Sequence, residues 1–184
     1  MKAPLYNNSQ QYLIDAFNKY LGGDMSSLVF QEIREFRSLA YSTYAQYTEP
    51  MNQNKNALFL AYVGCQSDKT VESVETMMEL IYNMPQKTER MPSVINALKE
   101  NNYLQKSHFR QLITTVNTWK EKGYTEDPRK INSVKYNQLD WQQMYDFYKQ
   151  HVQNKPITIA ITGPISKINT KALEKYGKLV YVKE

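Results

Sequence analysis

Histidine, cysteine and carboxylate side chains hold most catalytic metals, and the first two are scarce here: His108, His151 and Cys65. A hydrolytic zinc site takes about three protein ligands and keeps one position open for water. Two histidines four apart on a helix would supply two of those ligands from one face. His108 and His151 stand 43 positions apart, and neither His-x-x-Glu-His nor its reverse occurs. His108 reads as a helix opener and His151 as a surface residue near a helix end. No glycine-rich loop has phosphate-binding spacing, and no serine sits in a Gly-x-Ser-x-Gly elbow. Cys65 has no base in view and reads as a small buried residue; as the only cysteine it excludes an internal disulfide. Fifteen tyrosines could stack on nucleobases, but the aromatic-glycine signature of RNA-binding sheets is missing. These residues describe a folded domain without catalytic machinery or a metal cofactor of its own.

The chain has 184 residues, 41% of them hydrophobic and 22% charged, which suits a single globular domain over 1–184. Its longest apolar run, 57–63, is far shorter than the ~20 residues of a membrane-spanning helix. Charge is uneven. Residues 1–92 hold 8 basic and 10 acidic residues, and residues 93–184 hold 15 and 8. The basic half raises a remote nucleic-acid-binding alternative, but its lysines are scattered singly and read as solvated helix faces, so no nucleic acid is expected.

Apolar periodicity predicts the elements that frame these residues. Leu13, Phe17, Tyr20 and Leu21 fall on one helical stripe ended by Gly22 and Gly23, read as a left-handed helix stop. Val29, Ile33 and Phe36 give a second helix its apolar face. From 39 to 47 the period changes to two, with even and odd residues on opposite faces, and 57–64 is apolar on both faces, as in a covered central strand. The two read as an antiparallel pair. Four helices follow, near 68–82, 92–98, 107–122 and 140–152. Phe109, Leu112, Ile113, Val116 and Trp119 mark the buried side of the third. The alternation of Ile157, Ile159 and Ile161 predicts a strand, and 179–182 a last one after a short helix. Strands and helices are grouped, which makes the fold α+β, an antiparallel sheet with helices on one face.

One segment is specific enough to name a family. Leu21-Gly22-Gly23-Asp24-Met25-Ser26-Ser27 leads into Phe30-Gln31-Glu32-Ile33-Arg34-Glu35 and then Arg37-Ser38-Leu39-Ala40-Tyr41-Ser42. This resembles the C-terminal non-catalytic domain of the insulinase/pitrilysin family of zinc metallopeptidases. The resemblance implies a chain that holds no zinc itself and works beside a separate zinc-bearing catalytic domain, helping to bind and enclose an extended peptide. It also implies two substrate-binding residues, an arginine and a tyrosine seven positions later, which fall on Arg34 and Tyr41. A guanidinium offers a fork of donors to peptide oxygens, and a phenol can donate to a developing oxyanion. The cell envelope or periplasm is the compartment the resemblance suggests. The alternative within this fold is an assembly subunit that never touches substrate. Family domains open with a strand, whereas only 1–6 precede the first helix here. The chain therefore reads as a piece of a longer peptidase lacking its first strand, with an exposed sheet edge through which it could form a homodimer.

Overall fold

The computed structural model describes residues 1–182. Helix α1 (Gln11–Leu21) stops where the chain must cross the sheet at close range. A Cβ at Gly22 would lie 2.4 Å from the backbone N and O of Ala45, and the Ala45 N–H donates to the Gly22 carbonyl at 3.4 Å. The glycine is therefore needed for close approach and not for a left-handed turn, since its φ is −154°. Asn18, one turn earlier, clamps the same junction. Its Nδ2 donates to the Tyr47 carbonyl at 2.9 Å, and the Tyr47 N–H donates to its Oδ1 at 2.7 Å.

The sheet beneath is three-stranded and antiparallel, in the order β1 (Lys2–Leu5), β3 (Asn56–Cys65), β2 (Ala40–Thr48). A first strand is thus present, contrary to the expectation from sequence. It is four residues long and contains Pro4, which hides it from a periodicity search; at the edge of a sheet a missing N–H is tolerated. It pairs through Lys2 with Leu58 and Leu5 with Asn56, and the Asn56 amide donates to the Ala3 carbonyl at 2.8 Å. Beyond it, the amino group of Met1 donates to the Phe59 carbonyl and the Phe59 N–H returns a bond to the Met1 carbonyl.

Helices cover one face of the sheet, α1 against β2 and α2 (Thr70–Tyr82) against β3. Phe17 is the hub of the core, its ring 6.1 Å from Phe59, 5.8 Å from Phe147 and 6.3 Å from Tyr148. Two buried phenols then fasten the loop after α2. Tyr20 donates to the Pro85 carbonyl and accepts from the Lys87 N–H; Tyr148 donates to the Tyr82 carbonyl and accepts from the Met84 N–H. Tyr148 lies on α6 (Trp141–His151), which opens on a capping box: the Gln143 N–H donates to Asp140 and the Asp140 N–H to Gln143.

Several expectations are corrected. The helical block between β3 and segment 157–162 holds five α-helices among the described residues, where four were expected: α2, α3 (Met91–Leu104), α4 (Leu112–Glu121), α5 (Pro128–Gln138) and α6. The missed one, α5, buries Pro128, Asn132 and Tyr136, an i, i+4, i+8 stripe with too few aliphatics to register. The predicted apolar side of α4 faces outward: Phe109, Leu112, Ile113 and Val116 are exposed, because only its Thr115 and Trp119 side meets the rest of the molecule. Phe36 is exposed too. Segments 157–162 and 179–182 lie outside the sheet, without ladder partners among the described residues. His151 is buried, not a surface residue, its ring 4.6 Å from Phe147 and edge-on to Tyr47.

Neither ring nitrogen of His151 has a hydrogen-bond partner among the described residues. Burial, with a smaller contribution from Lys155, pushes its pKa below the usual 6.5. The unfolded chain therefore takes up this proton first, so the stabilising contribution is complete above about pH 6.5 and fades as the pH falls below it. In denaturant titrations from pH 7.5 to 5, the stability difference between wild type and His151→Phe should show that decline, since Asp15, raised to about 6 by burial, adds the opposite slope to both proteins. Gly22→Ala should lower stability by about 1–3 kcal/mol through the clash with Ala45, read as a shift in denaturation midpoint.

Candidate functional site: the open face of the sheet

The chain between α1 and β2 is wound unusually. Asp24 accepts from the Ser26 N–H and hydroxyl, and the Ser27 hydroxyl donates back to the Asp24 carbonyl, which turns the backbone into the next helix. Residues Phe30–Phe36 then form a π-helix, whose wide turn ends with Ser38 at φ 50° and the Leu39 N–H bonded to the Ile33 carbonyl at 2.9 Å. Such wide turns store a local irregularity that side chains at functional sites often use. Ile33 points into the core, which leaves Arg34, one residue on, at the surface.

Strand β2 carries a matching irregularity. Ser42 pairs with Gly64 while Ala40 pairs with Cys65, so Tyr41 is the extra residue of a β-bulge. Strict alternation would place Tyr41 with the buried residues Ala45 and Tyr47. The bulge resets the phase, so Ala40 is buried and Tyr41 stands 83% exposed on the open face. The π-helix and the bulge therefore bring the two sequence-predicted residues together. The Arg34 guanidinium carbon lies 4.7 Å from the Tyr41 ring centroid and 4.7 Å from that of Phe30, with the Glu35 carboxylate 3.5 Å from its Nε. Held between two rings and half-buried, the guanidinium keeps N–H donors free at its edge, and the Tyr41 hydroxyl faces solvent.

The open face continues along β3. Tyr44 and Tyr62 are cross-strand partners with rings stacked at 5.5 Å, and Leu58 and Leu60 are exposed beside them. Gly64 makes room for this layer, since a Cβ there would lie 2.8 Å from the Tyr62 hydroxyl. The expectation that β3 is covered on both faces fails for this reason: its even-numbered side chains look outward. The aromatic partners Phe30, Tyr44 and Tyr62 were not singled out from sequence. The Tyr44–Tyr62 pairing was nonetheless implicit once the hairpin register was known.

Among the described residues no group of three or more His, Cys, Asp or Glu side chains could hold an ion. His108 is exposed, its Nδ1 accepts from the Arg110 N–H at 3.4 Å, and it stacks on Phe109; Cys65 is half-buried. A second concavity, of about 500 Å³, lies on the helical side and includes Asp15, Glu49, Tyr136 and Asn132. Burial raises the Asp15 carboxyl to about 6 although Tyr136 and Gln11 both donate to it. Its charges are mixed, with Lys122 paired to Glu49 at 2.7 Å.

The chain is thus an α+β domain whose helices close one face of the sheet and leave aromatic and guanidinium groups on the other. Comparison with known proteins finds similar domains. The family described as the peptidase M16 inactive domain matches residues 2–91. An uncharacterized zinc protease of Streptomyces coelicolor is 43% identical over 58 residues, which cover 32% of this chain and 12% of that protease. The crystal structure of a peptidase M16 inactive domain from Pseudomonas fluorescens superposes with a TM-score of 0.61 at 14% identity, covering 82% of this chain and 35% of the other. Residues 2–91 thus match the non-catalytic domain of the insulinase/pitrilysin (M16) zinc metallopeptidases, and the solved inactive domain shares the fold. The chain spans only a small part of the relative it matches in sequence.

The Arg34 stack is surface chemistry, so its removal should scarcely affect folding. Arg34→Leu and Tyr41→Phe should each change stability by less than about 1 kcal/mol. Chemical denaturation checks this, and it sets the baseline for activity measurements on the same variants.

Proposed function

We propose that this domain is the substrate-holding half of a zinc peptidase, binding and enclosing an extended peptide while a separate domain supplies zinc, water and the general base. The observation that carries the reading is the convergence of Arg34 and Tyr41 on the open sheet face, against Phe30. Their chemistry divides naturally. The guanidinium fork would hold a peptide carbonyl or carboxylate from the side. The phenol would donate to the oxyanion that develops when water attacks the scissile carbonyl at the partner's zinc. Exposed Tyr44, Tyr62, Leu58 and Leu60 would pack against the peptide's side chains.

A docked partner is supported by a second surface. Phe109, Leu112, Ile113 and Val116 on and before α4 are exposed, as are Tyr103 and Leu104 at the end of α3. Exposed apolar side chains in such number are what a docking surface would use.

The domain alone should neither retain stoichiometric zinc after dialysis nor hydrolyse peptides, as metal analysis and a fluorogenic peptide assay would report. In the assembled peptidase, Tyr41→Phe should lower kcat/KM by roughly 10²-fold, mostly through kcat, the usual effect of removing one oxyanion donor. Arg34→Ala should act mainly on KM. Unchanged turnover in both variants, with the assembly intact, would leave only the assembly-subunit role.

A further inference from the structure

The walls of the 500 Å³ cavity on the helical side all come from within residues 11–136, on α1, α3, α4, α5 and the chain at Glu49 and Lys122. Two of its polar groups are left incomplete by the fold. Asn132 on α5 is 6% exposed, and its Oδ1 has no hydrogen-bond partner among the described residues. A buried acceptor left unmet is costly, and it asks for a donor. Asp15 on α1 is the second. Gln11 donates to its Oδ1 at 2.9 Å, and Tyr136, one turn beyond Asn132, donates to its Oδ2 at 2.5 Å. Both donors are neutral, so the carboxylate charge is not answered.

The cations around the cavity are engaged elsewhere. Lys19 pairs with Asp24, Lys122 with Glu49 and Arg129 with Asp127, while Lys106 is exposed. Glu49 acts on Asp15 more strongly than Lys122 does, so the local field is negative. Burial and the same carboxylates push the Tyr124 and Tyr136 phenols up, which keeps both neutral.

We propose that this cavity binds the guanidinium head of a small organic cation, seated between the Asp15 carboxylate and the Asn132 side-chain oxygen. A guanidinium presents five N–H donors in a flat fork. It can bond both Asp15 oxygens through their remaining lone pairs and still offer a donor to Asn132. A neutral polyol would satisfy Asn132 but leave the Asp15 charge unanswered, and an anion would meet that charge directly. The volume exceeds that of the head group, and Asn101 and Gln105, both exposed, offer amides to a polar tail. This site is independent of the substrate-holding role proposed for Arg34 and Tyr41.

The test titrates n-butylguanidinium into the intact chain, with its neutral isostere n-butylurea as the control. NMR follows the Asn132 side-chain amide and the indole N–H of Trp119, which also lines the cavity. The guanidinium should shift both signals saturably, and the urea should bind at least tenfold more weakly. Affinity for the guanidinium should fall about tenfold from pH 7.5 to 5, because Asp15, held near 6, takes up a proton and loses its charge. Asn132→Leu removes an unmet buried acceptor, so the fold tolerates it; it should weaken binding at least threefold and leave the pH dependence in place. Absence of a saturable shift, equal affinity for the urea, or an affinity unchanged at pH 5 would each overturn the proposal.

Discussion

The contact between the end of α1 and β2 fixes the rest of the molecule. Gly22 lies so close to Ala45 that no side chain fits between them, and Asn18 bonds both backbone groups of Tyr47. That junction sets the height of the helix above the sheet. Phe17 then meets Phe59, Phe147 and Tyr148 at once, and Tyr20 reaches the loop at Pro85 and Lys87. It also sets the span that the chain from Gly23 to Leu39 must cross. A regular helix of that length would continue the core stripe; the π-helical turn and the left-handed Ser38 bring Ile33 inward and Arg34 outward instead.

The proposed site rests on two local departures from regularity that coincide. The wide helical turn aims a guanidinium over the sheet edge, and the bulge turns a tyrosine out of the core onto the same face. Either alone would leave one residue exposed and the other elsewhere. Together they make a donor pair backed by Phe30 on a face that the helices leave open. This arrangement is the one that the substrate-holding role proposed above would use, and it lies within the residues that match the M16 inactive domain.

Long, strongly periodic elements were legible from sequence: α1, α2, α6 and the β2–β3 hairpin all follow from apolar spacing. Pairing of Arg34 with Tyr41 was legible only through the family motif, because the bulge breaks the alternation that would otherwise send Tyr41 inward. The four-residue β1 fell below the length at which alternation can be counted, and α5 buries a tyrosine and an asparagine where a periodicity search looks for aliphatics. Segments 157–162 and 179–182 have the composition of strands. Strand identity depends on a partner edge, however, and composition cannot supply one. The apolar stripe of α4 was read correctly as a stripe. Which way it faces depends on neighbours that lie far away in sequence.

The central claim is that Arg34 and Tyr41 face the substrate. The most direct measurement is a structure of the assembled peptidase holding a non-cleavable extended peptide. The account predicts the Arg34 guanidinium and the Tyr41 hydroxyl within hydrogen-bonding distance of peptide oxygens, the phenol nearest the carbonyl that faces the zinc. A bound peptide that leaves this face in bulk solvent, or finds it buried in a contact with no peptide atom near it, would contradict it.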